Sequence, residues 1–321
     1  GPGHTLPTPH GAFFPSRQNV SLRAPGDLTV TELRRVRYTP AQQAAEDYAI
    51  SFQVCNEVKG HFGHVSSLSA RFSPNSINWT NCQSYNTAQV RVESCTVSNL
   101  NIAFRAGEEL GTGAASGLTA IDFGMTDTRV NHFYVSPSRH PPDRLRAICM
   151  WETFDAANQA ILFAKLRDVV RPSVVPRGEP RCGTMQVDVA GTAKGVWAEA
   201  GVAGPVGGDE TRYLTLADYP YRPQDELALS IGPANLGARV GIVTRRTTGR
   251  INRAFEHVTA DGQIYCYGPD IGPFGATSWF LTLTSGTALG IERRVHAAGA
   301  SPCNSDPSTW SFGAGAVSMV R

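Results

Sequence analysis

The chain has 321 residues, with 29 Lys and Arg against 27 Asp and Glu, which gives a formal net charge of +2. This balance, with 17% of residues charged, argues against a strongly basic nucleic-acid binder and an acidic disordered protein. No apolar run reaches the roughly 20 residues that cross a bilayer, so we expect neither a membrane span nor a nucleic-acid partner.

Turn-forming residues are abundant, with 32 Gly and 21 Pro, which is typical of many short strands joined by tight turns. We therefore expect a mainly β fold. Four segments are predicted: an extended arm (1–18), a first β domain (19–145), a helical connector (146–172) and a C-terminal β-sandwich or barrel-like domain (173–321).

The first β domain carries two clear strand patterns. The segment DYAISFQV alternates apolar Tyr48, Ile50, Phe52 and Val54 with their neighbours, which predicts a half-buried strand. AQVRVES repeats the alternation further along the chain. The polar stretch SARFSPNSINWTNCQSYN between them predicts a long loop.

Residues 151–170 carry the single helical pattern of the chain. Thr153 or Asp155 can cap this helix, and Pro172 ends it. Its apolar residues recur at helical spacing on one face, namely Phe154, Ala157, Ile161, Leu162, Leu166 and Val169.

Short strand candidates follow the helix, namely YLTLADY, ELALSIG, ARVGIVTRR and QIYCYG. The segment SWFLTLTSGTALGIERR predicts a hairpin that turns at Ser285 and Gly286. Trp197 and Trp279 lie in strand patterns, which favours core positions over sugar-stacking platforms. No chemistry is predicted for 173–321.

The cysteines form no CxxC pair, which argues against a structural zinc knuckle and a thioredoxin-like motif. An odd set of this kind predicts disulfides in an oxidising compartment with one cysteine left over, and the pairing stays open. We therefore expect a secreted or extracellular protein, with the cell surface included. The disulfide candidates are Cys55, Cys82, Cys95, Cys149, Cys182, Cys266 and Cys303.

Three segments, in this order, resemble motifs of the lysostaphin-like (LytM-type) zinc metallopeptidases, which cleave peptidoglycan on a duplicated-hybrid-motif β fold. VSLRAPGDLTV (20–30) resembles their strand–turn–strand motif, and GHFGHVSSLS (60–69) resembles the strand end that carries a histidine. IAFRAGEELGTGAASGLTAIDFGM (102–125) is similar to their last motif. The resemblance implies this fold for the first β domain.

The resemblance also implies an active site that is degenerate. His10 matches the first zinc ligand, but Phe14 stands where the family has a ligating Asp. The HxH motif of the family aligns with a segment that begins at Ala120 and ends at Asp122, so one catalytic His is lost and the last ligand becomes a carboxylate. His64 matches the catalytic His of the middle motif.

A catalytic zinc needs three protein ligands and an open position for water, whereas His10 and Asp122 supply two ligands. His61 could be recruited as a third, but its odd separation from His64 predicts side chains on opposite strand faces. We therefore expect a groove formed by His10, His61, His64 and Asp122 that binds a ligand, with neither metal nor cofactor.

Three functions stay open. The first is a non-catalytic binding or structural protein of the cell envelope or extracellular space, whose partner is a cell-wall peptide or glycan. The second is a zinc endopeptidase with a remodelled site, in which His10 and Asp122 hold the metal and His64 acts in catalysis on peptidoglycan. The third is a subunit of an extracellular assembly or filament, either with other proteins or as a homo-oligomer.

Overall fold

The computed structural model describes residues 6–39, 46–87, 90–115, 120–168, 171–176, 178–202, 204, 210–237, 239–268, 271 and 276–321. The predicted mainly β class is confirmed, with two sheets whose strands pair antiparallel. The chain forms two compact units. The N-terminal unit comprises Pro9–Asn131 and Arg146–Thr153, and the C-terminal unit comprises the described residues of Gly1–Thr8, His132–Leu145 and Phe154–Arg321.

The N-terminal unit is built on one sheet. Its strands are β1 (Gly11–Phe13), β2 (Val20–Arg23), β3 (Leu28–Thr39), β4 (Glu46–Gln53), β5 (Val58–Leu68), β6 (Thr80–Thr87), β7 (Val90–Phe104), β8 (Glu109–Gly113), β9 (Ile121–Asp127) and β10 (Ala147–Ile148). The main strand order is β1-β9-β5-β4-β3-β7-β6, while β10 pairs with β9, and β8 pairs with both β2 and β5. Short 3-10 helices span Ala70–Phe72, Pro74–Ser76 and Met150–Thr153.

An aromatic cluster forms the core beneath β5 and β9. The rings of Phe62 and Phe123 stack with centroids 4.8 Å apart, and Phe123 lies 5.9 Å from Trp151. Phe52 packs against both phenylalanines, and Phe13 meets Trp151 edge to face. Because side chains alternate across a strand, the neighbours of Phe62 and Phe123 face away from this core.

The strand patterns predicted in this unit are confirmed, since β4 includes DYAISFQ of the first segment and β7 begins with VRVES of the second, whose first two residues lie outside the described part of the chain. Two other predictions are wrong. The arm contains β1, which pairs with β9 because Phe13 is held by the aromatic cluster. The predicted loop contains β6, which pairs with β7 and is fixed to it by the Cys82–Cys95 disulfide, a link that composition does not reveal.

The C-terminal unit contains the second sheet. Its strands are β11 (Gly195–Glu199), β12 (Tyr213–Asp218), β13 (Glu226–Ile231), β14 (Arg239–Thr244), β15 (Tyr265–Tyr267), β16 (Thr277–Ser285), β17 (Ala288–Val295) and β18 (Val317–Val320). They follow the order β14-β13-β12-β11-β18-β17-β16-β15. The helices α1 and α2 span Pro142–Arg146 and Ala156–Lys165. Short 3-10 helices span Pro137–Arg139, Glu210–Arg212, Ala234–Leu236, Phe255–His257, Pro302–Asn304 and Pro307–Thr309.

The core of the C-terminal unit confirms the predicted strands, the hairpin of β16 and β17, and both predicted core tryptophans. Trp197 and Trp279 are fully buried. Each satisfies its indole N–H, because Trp197 donates to the Ala193 carbonyl at 2.9 Å and Trp279 donates to the Leu236 carbonyl at 3.0 Å. A buried indole with its N–H paired keeps the packing gain without an unsatisfied donor.

The predicted helix is shorter and less buried than its pattern indicates. The predicted cap is confirmed, since the Asp155 carboxylate accepts the first amides of α2. The helix ends at Lys165, well before Pro172, and residues 150–153 form a 3-10 turn instead. None of its residues is buried, and Ile161 is 54% exposed. Val169, predicted on the apolar face, lies outside the described residues.

The disulfide prediction is confirmed. Cys82 is bonded to Cys95 and Cys266 to Cys303, while Cys149 and Cys182 are also disulfide-bonded. Cys55 is the cysteine left over, and its thiol is exposed. Within the part of the chain that the structure describes, no helix has the length and apolarity needed to span a membrane.

Candidate functional site

The register of three neighbouring strands defines one open face of the N-terminal unit. Asp122 of β9 lies opposite Ala12 of β1 on one side and Gly63 of β5 on the other. Residues paired across strands share a face, and the next pair, Phe62 with Phe123, faces the core. Asp122 therefore points away from the core. We call this side of β1, β9 and β5 the histidine face.

The N-terminal edge of β1 brings His10 onto the histidine face. His10 precedes Ala12 by two residues and so shares its side of the strand. Its Nε2 lies 3.6 Å from Oδ2 of Asp122, and both side chains are about one-fifth exposed. Ala12 and Phe14 of the same strand edge are exposed, so solvent reaches this face.

His64 joins the face through a break in the regular strand. In an unbroken strand it would follow Gly63 and face the core. Its φ is +56°, which a residue with a side chain adopts rarely, and β5 changes partner from β9 to β8 at this point. His64 Nε2 consequently lies 3.5 Å from Oδ2 of Asp122. The expectation that His61 and His64 face opposite sides is wrong for this reason.

Behind His64 stands a carboxylate that is shielded from solvent. Asp47 of β4 is buried, and its Oδ2 lies 2.7 Å from Nδ1 of His64. The same oxygen accepts a hydrogen bond from the Tyr38 hydroxyl at 3.2 Å. The hydrogen bond to Asp47 raises the pKa of His64, and the charges of Asp122 and Asp47 add to this effect against the opposing cost of burial.

His61 completes the cluster from β5. It lies opposite Gly124 in the register, and a side chain at Gly124 would collide with its ring. The His61 and His10 rings meet at an angle of 79°, with centroids 6.0 Å apart. The structure thus connects all four predicted residues, His10, His61, His64 and Asp122, on one face.

The sequence patterns did not identify Asp47, although its carboxylate raises the pKa of His64. In the alternating strand pattern Asp47 falls among the polar positions, so the pattern alone indicates a solvated carboxylate. No spacing to a histidine marks it, because Asp47 and His64 meet only through the pairing of β4 with β5 and the local break at His64.

The metal centre that the resemblance implies would include His10 and Asp122. Among the described side chains, no group of three or more His, Cys, Asp and Glu is arranged to hold a metal ion. The set of His10, His64 and Asp122 is not such a group either. Both imidazoles instead approach the same oxygen of Asp122. Phe14, which stands where the resemblance implies a ligand, is 58% exposed.

Comparison with models of known protein families, with curated proteins and with solved structures finds no match for this chain.

Proposed function

We propose that the N-terminal unit binds a cell-wall peptide or glycan outside the cell without cleaving it, on a fold of the lysostaphin-like type. The binding surface is the histidine face. The six disulfide-bonded cysteines support an oxidising, extracellular setting for this role.

The observation that carries the proposal is the pairing of His64 with two carboxylates, Asp47 and Asp122. These partners favour the protonated imidazole, which has no lone pair with which to accept a proton or bind a metal. The face can still bind, because Asp122 is a charged acceptor for ligand N–H and O–H groups. The exposed ring of Phe14 offers an apolar contact on the same side of the strand.

A second candidate function, the remodelled zinc endopeptidase, has one observation in its favour. The carboxylate of Asp47 holds Nδ1 of His64 and leaves Nε2 facing Asp122. A carboxylate behind an imidazole fixes the tautomer and the orientation of the ring, as a catalytic histidine requires.

Binding is tested by co-sedimentation of the purified protein with insoluble peptidoglycan. We expect Asp122→Ala to weaken binding by about tenfold or more, since a hydrogen bond to a charged group contributes about 1.5–3 kcal/mol. Phe14→Ala, an exposed position away from the core, serves as a second variant should Asp122→Ala fold poorly. The matched control is Glu109→Ala, because Glu109 is an exposed carboxylate of β8 that bonds Ser21.

The proposal requires that Glu109→Ala binds like the wild type while both variants of the face bind less. Equal binding by the wild type and all three variants would place the ligand elsewhere. Absence of wild-type binding to intact peptidoglycan, to its glycan strands and to its stem peptides would contradict the proposed ligand class.

A further inference from the structure

A chain of hydrogen bonds in the C-terminal unit joins two serine hydroxyls to one imidazole. Ser301 Oγ lies 3.0 Å from Ser278 Oγ, which in turn lies 3.0 Å from Nε2 of His296. The other ring nitrogen, Nδ1, lies 2.9 Å from the carbonyl oxygen of Ala297. This cluster is separate from the histidine face and independent of the function proposed for it.

The carbonyl of Ala297 sets the direction of every hydrogen bond in this chain. A carbonyl oxygen only accepts, so Nδ1 of the neutral imidazole carries the proton and Nε2 is an acceptor. Ser278 therefore donates to His296, and its oxygen accepts from the Ser301 hydroxyl. The proton of Ser301 thus has a continuous path, through Ser278, to a basic nitrogen.

The two serines differ in their access to solvent. Ser278 lies within β16 and is 1% exposed, so it does not meet a substrate. Ser301 is half-buried at the start of the 3-10 helix Pro302–Asn304, where the Cys303 amide donates to its Oγ at 3.3 Å. The Cys266–Cys303 disulfide ties this segment to β15, which fixes Ser301 against the sheet.

A glycine leaves a small space beside both hydroxyls. A methyl group built on Gly268 would lie 3.5 Å from Ser278 Oγ, 3.5 Å from Ser301 Oγ and 3.3 Å from Cys303 Sγ. These are van der Waals distances or slightly shorter. The space therefore admits at most one methyl group next to the Ser301 oxygen, and the methyl of an acetyl group is the smallest alkyl substituent that an acyl carbon carries.

We propose that Ser301 is the nucleophile of an acyl-transfer site that accepts acetyl esters. Ser301 Oγ attacks the ester carbonyl carbon while its proton passes to Ser278 and the Ser278 proton passes to His296 Nε2. The ester C–O bond breaks, and the proton returns from His296 through Ser278 to the leaving alkoxide. Water then attacks the acetyl-Ser301 ester by the same proton path, which releases acetate and restores the hydroxyl.

The test combines covalent labelling by a fluorophosphonate with hydrolysis of p-nitrophenyl acetate. All proteins carry Cys55→Ser, which removes the exposed thiol as a competing nucleophile. We expect the label on Ser301, complete loss of labelling in Ser301→Ala and a rate lower by about 100-fold or more in His296→Gln.

Two further variants separate catalysis from folding. Gly268→Ala fills the methyl space and contacts both hydroxyls without removing either of them, and we expect it to slow acetyl hydrolysis while the protein stays folded. Ser308→Ala removes an exposed serine from the neighbouring 3-10 helix and should match the parent in both assays. A parent protein that takes no label, or labelling and hydrolysis that persist unchanged in folded Ser301→Ala or His296→Gln, overturns the proposal.

Discussion

Acidification from pH 7 to pH 4 will destabilise the C-terminal unit by about 3 kcal/mol through one residue, His140. This histidine is buried, its ring lies 3.9 Å from that of Tyr134, and its Nδ1 has no hydrogen-bond partner among the described residues. Burial, with the nearby charges of Arg144 and Arg139, lowers the pKa of His140 from 6.5 to about 4.

The folded state favours the neutral form of His140, and this preference sets the direction of the pH dependence. Because the pKa is lower in the folded state, the stabilisation is complete above about pH 6.5 and is lost as the pH falls towards 4. Hydrogen exchange of the β12 amides, measured across this range, reports the opening free energy of the unit. We expect the decline to disappear in His140→Phe, which keeps the stacking on Tyr134 and removes the titrating nitrogen.

The matched control for this prediction is His257→Phe, which replaces an exposed histidine of the same unit. It should retain the full acid-dependent loss. The explanation fails if His140→Phe and the wild type lose protection equally between pH 7 and pH 4.

Replacing Asp47 by Asn will lower the pKa of His64 and destabilise the N-terminal unit by about 1–2 kcal/mol at pH 6. The hydrogen bond that the His64 ring donates to Asp47 is the largest cause that raises this pKa. We place the loss below the upper range for a charged hydrogen bond because the His64 side chain is 39% exposed and therefore screened by solvent.

The pH dependence of this pair has the opposite sign to that of His140. A raised folded-state pKa stabilises the protein fully below about pH 6.5, and that stabilisation is lost as the pH rises through the folded-state value. NMR titration of the His64 ring measures the change in its pKa. Urea unfolding at pH 6 and pH 9 measures the change in the free energy of unfolding. The control is Glu109→Gln, which replaces an exposed carboxylate on β8. It should change neither the pKa of His64 nor the free energy of unfolding. An unaltered His64 titration in Asp47→Asn would refute the assignment.

The mainly β class was predictable because alternating apolar residues and frequent turn formers report directly on strands. The boundaries of individual strands were harder to predict where tertiary contacts determine them. β1 forms in a Pro-rich and Gly-rich segment because Phe13 reaches the aromatic core, and β6 forms in polar sequence because a disulfide fixes it to β7. The apolar stripe on α2 predicted burial, yet nothing in its spacing says whether another element covers it.

The residues of the candidate site could be identified from motif positions. The contacts that determine their charge and reactivity could not. His64 reaches Asp122 only because its backbone leaves the strand conformation, which no alternation rule anticipates. The buried partner Asp47 comes from another strand and carries no motif. The serine and histidine cluster of the C-terminal unit is likewise invisible in sequence, since Ser278, His296 and Ser301 meet through the β16 and β17 pairing.

The central claim is that the histidine face binds cell-wall material without cleaving it, and one measurement addresses both halves. The protein, reconstituted with zinc, is incubated with purified peptidoglycan, and the bound fraction and the newly released amino groups are quantified together. We expect bound protein and no amino groups above the zinc-only blank. Zinc-dependent release of amino groups that disappears in Asp122→Ala would contradict the account and establish a peptidase.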